Sequence, residues 1–218
     1  MKIGIVYIGH LRNNHVKCFY NIKEKLLDNL EENGCQYDIF IHTWDRYNVK
    51  NNKSVKYSDI ELYKPKKYII EKQRFSLIKN LNYRDKKNKM AYKSISYQLY
   101  ALNQVYKHFT ELKNYDYIFK LRPDVYLTDN FYHISLDIFH NTIYYLDYKD
   151  NIFIDVFYFG DSHIMLKTFN IFNYDKYKED LFNPNNLPAE IIYKKYWKYL
   201  NINMVSIGNF TDLIKLYK

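Results

Sequence analysis

Hydrophobic and polar positions alternate between two periods along the chain. Ile3 to Ile8 is a short apolar, β-branched run closed by Gly9, which predicts a buried parallel strand. From His15 to Asn33 the apolar residues Phe19, Ile22, Leu26, Leu27 and Leu30 recur at helical spacing, and Gly34 is a suitable terminator. Tyr37 to Ile41 predicts a second strand. The opening is therefore a strand–helix–strand unit with polar residues after both strands.

The same reading continues downstream. Lys66 to Ile70 predicts a third strand, and Ile95, Leu99, Leu102, Tyr106 and Phe109 form the stripe of a long helix over Met90 to Phe109. Tyr115 to Leu121, Ile143 to Leu146, Phe153 to Phe159 and Asn203 to Ile207 predict further strands. Helices are expected from Gly160-Asp161-Ser162 to about Phe172 and from Pro188-Ala189-Glu190 to about Leu200. Arg46 to Lys56 reads as a polar loop, and Phe75 to Lys89 as an irregular flap. Strands alternating with helices imply an α/β class with a sheet flanked by helices. The 218 residues suit one domain that buries about 70% of its unfolded surface. No repeat or linker divides it.

Composition narrows the function. The formal charge is +9 and aromatic residues make up 19% of the chain. The lysines are spread along the sequence without a basic block, which disfavours a nucleic-acid partner and suits an anionic small molecule. Cys18 and Cys35 lie at opposite ends of one predicted helix, roughly 25 Å apart, too far to bridge. Without a disulfide framework or zinc spacing, the cytoplasm is the expected compartment. The first residues lack the flanks of a signal peptide, and no apolar run reaches the ~20 residues of a membrane span.

Polar residues gather after the predicted strands: Gly9 to Arg12, His42 to Asp45, Arg122 to Asp124 and Gly160 to His163. Open α/β sheets bind ligands beyond the carboxyl ends of their strands. Arg122-Pro123-Asp124 is the strongest local signal. A carboxylate at a strand tip suits Mn²⁺ or Mg²⁺, which take oxygen ligands, while an arginine beside it suits phosphate. An Arg–Asp pair closing a turn is the plain alternative. Gly9 lets a backbone approach a ligand, and Arg12 can grip phosphate or simply be an exposed turn residue. Trp44 can stack on a base with Thr43 and Asp45 bonding it, or pack on the sheet. His163 can serve as a ligand or be an ordinary histidine. Asp155 interrupts an apolar strand, so it must be paired, ligand-facing or at an edge. Glu190 sits where a helix start favours a carboxylate.

Taken jointly, Gly9-His10-Leu11-Arg12, Asp38 through Asp45, Gln98-Leu99-Tyr100, Tyr115-Asp116 leading to Arg122-Pro123-Asp124, Asp155 through Gly160 and Pro188-Ala189-Glu190 resemble a family of GT-A type glycosyltransferases. These are bacterial and giant-virus proteins linked to capsule and surface glycans. The resemblance spans nearly the whole chain and implies a single Rossmann-like domain with a mixed, mostly parallel sheet, its nucleotide-binding part over about 1–127 and its acceptor-side part over about 128–218. It implies transfer of a sugar from a nucleoside-diphosphate sugar, with UDP favoured, to a glycan or glycoprotein acceptor. It also implies a Mn²⁺ or Mg²⁺ cofactor held by Asp124, which takes the place of the last acid of an Asp-X-Asp motif. Arg122 stands where the first acid would be. Donor contacts are implied for Gly9, Arg12, Thr43, Trp44, Asp45, Lys93, Gln98 and Arg122. If the reaction inverts, Asp155 or Glu190 is the expected base. The location implied is the cytoplasm, or the host cytoplasm for a viral protein. A catalytically silent nucleotide-sugar or glycan-binding module is the alternative.

Overall fold

The computed structural model describes residues 1–47, 53–73, 86–133, 140–148, 152–173 and 189–216. They form an α/β domain around a seven-stranded mixed sheet. In chain order the strands are β1 (Lys2–Ile8), β2 (Gln36–Trp44), β3 (Lys67–Glu71), β4 (Tyr117–Leu121), β5 (Val125–Leu127), β6 (Thr142–Tyr148), β7 (Ile152–Asp161), β8 (Asn203–Asn209) and β9 (Ile214–Leu216). The main sheet runs β3-β2-β1-β4-β7-β6-β8, and β5 pairs with β9 in a small second sheet. Strands β3, β2, β1 and β4 are mutually parallel. β7 is antiparallel to both β4 and β6, and β8 runs parallel to β6. The α/β class and the mixed, mostly parallel sheet expected from the sequence are what the chain forms.

The helices are α1 (His15–Ile22), continued by a π-helical turn (Lys23–Leu27) into α2 (Asp28–Glu32), then α3 (Tyr57–Glu61), α4 (Lys86–His108), α5 (Ser162–Phe169), α6 (Ala189–Tyr199) and α7 (Phe210–Leu213). Period-two alternation decides which side each strand residue serves. Ile3, Ile5, Tyr7, Ile39 and Ile41 pack with Phe19, Ile22, Leu26, Leu27 and Leu30 on one face. Val6, Ile8, Phe40 and Trp44 pack with Leu99, Leu102 and Val105 of α4, Met165 of α5 and Tyr193 and Trp197 of α6 on the other.

The expected flap over Phe75 to Lys89 is corrected at its end, since α4 begins at Lys86. The rest of that segment lies outside the described residues. In the Arg46 to Lys56 loop, an isolated bridge joins Arg46 and Ser54. Three features had no sequence signal strong enough to be expected: α3, a helix of five residues, α7, a helix of four, and the β5–β9 pairing, which joins two three-residue strands far apart in the chain. Cys18 and Cys35 are both free and buried. Among the described residues no helix is long and apolar enough to cross a membrane.

Strand order fixes where a crevice can form. From β1 the chain winds through α1 and α2 to β2 and on to β3, then crosses back through α4 to β4 on the opposite side of β1. The reversal lies between β1 and β4. Loops leaving the carboxyl ends of those two strands diverge there, and such a switch point is where open α/β sheets take ligands.

Candidate functional site at the β1–β4 switch point

The two diverging loops are Gly9 to Asn14, after β1, and Arg122 to Asp124, after β4. Gly9 has φ +131°, a conformation that a side chain resists, and a Cβ there would lie 3.7 Å from Pro123 Cδ. The glycine thus lets the first loop turn directly beside the second. Its N–H donates to the His42 carbonyl at 3.1 Å, which ties the loop to the end of β2.

Arg12 is a non-glycine residue in the left-handed region, at φ 55°. Its N–H donates to the Tyr47 carbonyl, and its own carbonyl accepts from His15 Nδ1–H at 2.8 Å. Backbone strain of this kind persists only where surrounding contacts hold it. Here those contacts turn the Arg12 side chain toward β4.

Both arginines meet at Asp124. Arg122 forms a forked pair with it, Nε donating to Oδ1 at 2.9 Å and Nη2 to Oδ2 at 2.7 Å. Arg12 Nε lies 2.8 Å from the same Oδ2. The Asp124 side chain is 2% exposed, whereas those of Arg12 and Arg122 are 31% and 22% exposed. One buried carboxylate therefore holds two guanidinium groups that reach solvent, and the trio carries a net positive charge.

Asp124 is the residue from which a metal site was expected. A small divalent cation needs several oxygen ligands. Both Asp124 oxygens already face guanidinium nitrogens, and among the described residues no group of three or more His, Cys, Asp or Glu side chains converges. In this arrangement Asp124 has no oxygen clear of a guanidinium to offer Mn²⁺ or Mg²⁺.

His10 lies beside this cluster. Its Nδ1–H donates to the Arg46 carbonyl at 2.8 Å, which leaves Nε2 for another partner. Burial holds its imidazole below the usual histidine range. Arg12 and Arg122 push the same way, while the Arg46 hydrogen bond and Asp124 oppose.

The end of β2 differs from the expectation of an open stacking surface. Trp44 is only 3% exposed and belongs to the core on the α4 face. Its ring meets Tyr97 edge-on at 5.4 Å and stacks on Tyr100 at 6.2 Å. Thr43 is fully buried on the other face, and Asp45 is partly exposed, its N–H bonded to the Glu71 carbonyl. The structure does bring this strand end beside the Gly9–Arg12 loop, since Ile8 pairs with His42. Behind Trp44, His42 Nε2 contacts Glu71 Oε2 at 2.7 Å and Tyr100 donates its hydroxyl to Glu71 Oε1 at 3.3 Å. The hydrogen bond from His42 holds the Glu71 carboxyl below its ordinary range.

α4 runs back from the β3 side, so its first half lies at this same edge. Gln98 is partly exposed there, and its Oε1 is buried without a partner. Ser96 Oγ, two residues earlier in α4, is likewise buried and unpartnered. The Lys93 side chain lies outside the described residues.

Asp155 is buried on the face of the sheet that also carries Lys120. Lys120 Nζ donates to the Asp155 backbone carbonyl and lies 3.9 Å from its carboxylate, and it also sits 5.2 Å from the centre of the Tyr158 ring. Lys120 was not among the residues singled out. The available signal is a lysine inside an apolar strand. Helix α6 lies on that face too, since Trp197 contacts Tyr158. The chain leaves α6 for the start of β8, so the topology puts the first turn of α6, with Glu190, at the carboxyl edge of the central strands. Pro188 and the Glu190 side chain lie outside the described residues. His163, in the first turn of α5, is exposed and follows the strand end of β7 at the opposite edge.

No protein-family description matches the sequence, and no curated protein does. Among solved structures, the chain is similar to a glycosyltransferase involved in the glycosylation of the major capsid of PBCV-1. That similarity has a TM-score of 0.43 at 12% identity, covering 95% of this chain and 82% of the other.

Proposed function

We propose that the chain is a glycosyltransferase that binds a nucleoside-diphosphate sugar across the β1–β4 switch point. The observation that carries the reading is the meeting of Arg12 and Arg122, from two different strand ends, at the switch point where this sheet order opens a crevice. A forked guanidinium matches two phosphate oxygens as well as it matches a carboxylate. The sequence resemblance to GT-A enzymes points to the same donor class.

In the reaction the bond between the anomeric carbon and the diphosphate breaks, and its electron pair leaves with the diphosphate. The acceptor hydroxyl supplies the new bond and loses a proton. The arginines offset charge on the leaving group, a contribution that grows as the bond breaks. The first loop and the end of β2 hold the nucleoside, with Asp45 as the hydrogen-bonding residue and Trp44 as a packed wall. Asp155 is the candidate base of an inverting reaction, with Lys120 beside its carboxylate, and Glu190 belongs to the acceptor side.

The test is incubation with UDP- and GDP-sugars and a glycan acceptor, reading released nucleoside diphosphate. Donor-dependent release that is lost in Asp155→Ala, with donor binding kept, supports transfer and the base. Donor binding without release supports the silent binding module, which the burial of Asp155 against Lys120 favours.

A further inference from the structure

Asp124 stands where a metal ligand was expected, yet its surroundings are those of a carboxylate that organises arginines. We infer that the donor diphosphate is held directly by Arg12 and Arg122 without a bridging cation, and that Asp124 is the positioning residue that sets the two guanidinium groups side by side. This rests on the nucleotide-sugar reading above and adds how the phosphates are recognised.

Three observations carry it. First, the same oxygen, Asp124 Oδ2, lies within 2.8 Å of Arg12 Nε and 2.7 Å of Arg122 Nη2, so the two cations share one anchor. A cation in the same place would have to displace a guanidinium and would face the positive charge of the other. Second, the carboxylate is the member withdrawn from solvent, while the side chains of Arg12 and Arg122 both reach it, at 31% and 22% exposed. Arg12 meets the carboxylate through Nε, one of the five N–H donors of its guanidinium. Two solvent-reaching guanidiniums brought side by side suit an anion carrying two or more charges, such as a diphosphate. Third, the arrangement is built at a cost. Arg12 is held in a left-handed conformation by Tyr47 and His15, and Gly9 adopts a backbone only glycine takes readily. A turn closed by Arg122 and Asp124 alone would require neither.

The test is calorimetric titration of inorganic pyrophosphate and of UDP into the whole chain, in EDTA and in MnCl₂. The proteins are wild type, Arg12→Gln, Arg122→Gln, Arg122→Lys and Asp124→Asn, each checked for folding by thermal unfolding. The expected result is UDP affinity in EDTA within about threefold of that in Mn²⁺. Loss of a charge-assisted hydrogen bond weakens binding about 10- to 100-fold, so both glutamine variants fall by that factor. Arg122→Lys also weakens binding, because it keeps the charge and loses the fork. Asp124→Asn weakens binding by the same factor with and without Mn²⁺, which a metal ligand would not do. Should Asp124→Asn fail to fold, the wild-type EDTA arm and the arginine variants decide the matter. UDP binding only in Mn²⁺, with that dependence lost in Asp124→Asn, overturns the clamp and leaves the nucleotide site standing. No binding of either probe under either condition overturns both.

Discussion

Replacing Gly9 by alanine tests whether the first loop is shaped for the site. The φ of +131° lies where a side chain is strained whatever the space around it, and the nearest atom to a new Cβ is Pro123 Cδ at an ordinary 3.7 Å. The penalty is therefore conformational, not steric. Holding a non-glycine residue in such a region costs about 1–3 kcal/mol. In a domain of this size 1 kcal/mol shifts Tm by about 2–4 °C, so a drop of about 2–12 °C is expected. The chain relieves the strain by moving the loop, which pulls on the Gly9–His42 hydrogen bond and displaces Arg12 from Asp124. Pyrophosphate and UDP affinity should fall along with Tm. Gly34→Ala is the control. That residue also has positive φ, at +72°, with nothing within 4 Å of a Cβ, and it lies at the far end of α2. It should cost about 1–2 kcal/mol and leave ligand affinity unchanged. Thermal unfolding by circular dichroism and calorimetric titration read both effects. A Gly9→Ala protein with wild-type Tm and wild-type affinity would refute the reasoning.

Three further outcomes are expected. Because His10 titrates below the usual histidine value of about 6.5 in the fold, the unfolded chain binds its proton first. The neutral-histidine contribution is complete above pH 6.5 and declines as pH falls from there toward the lower folded value. His10→Gln should flatten Tm against pH between pH 7.5 and 5.5, and an unchanged slope would count against the assignment. Glu71, held low by the His42 hydrogen bond, contributes stability that is present above its unfolded value of about 4.5 and lost as pH falls through the lower folded value. Glu71→Ala should cost about 1–3 kcal/mol in urea unfolding at pH 7 by leaving His42 Nε2 without its partner, and a change within experimental error would show the pair to be dispensable. Lys120→Ala leaves the buried Asp155 carboxylate uncompensated and should cost about 3–5 kcal/mol, read by the same unfolding. A neutral result there would mean that Asp155 finds another partner.

Much of the framework was legible because two periods do most of the work. Apolar runs located seven strands to within a few residues, and the helical stripe from Phe19 to Leu30 located α1 through α2. The chemistry at the strand ends was legible as residue types but not as wiring. Arg122 and Asp124 are neighbours in sequence, so their pairing was foreseeable. Arg12 reaches the same carboxylate from 112 positions away, and only the adjacency of β1 and β4 brings it there. That adjacency puts two guanidiniums on the carboxylate from which the sequence predicts a metal site. Trp44 shows the complementary limit. Alternation gives the face on which a strand residue points, but not whether a helix covers that face, and here Tyr97 and Tyr100 of α4 do. Asp155 was readable as a carboxylate in need of compensation, while its partner Lys120 sits on another strand, 35 positions away.

A nucleotide diphosphate between the ends of β1 and β4 would be visible in a crystal structure of the protein grown with UDP. The diphosphate is expected within hydrogen-bond distance of both Arg12 and Arg122, with the uridine over the Gly9–Arg12 loop and the end of β2. A diphosphate bound elsewhere on the chain, with the two arginines still closed on Asp124 alone, would contradict it.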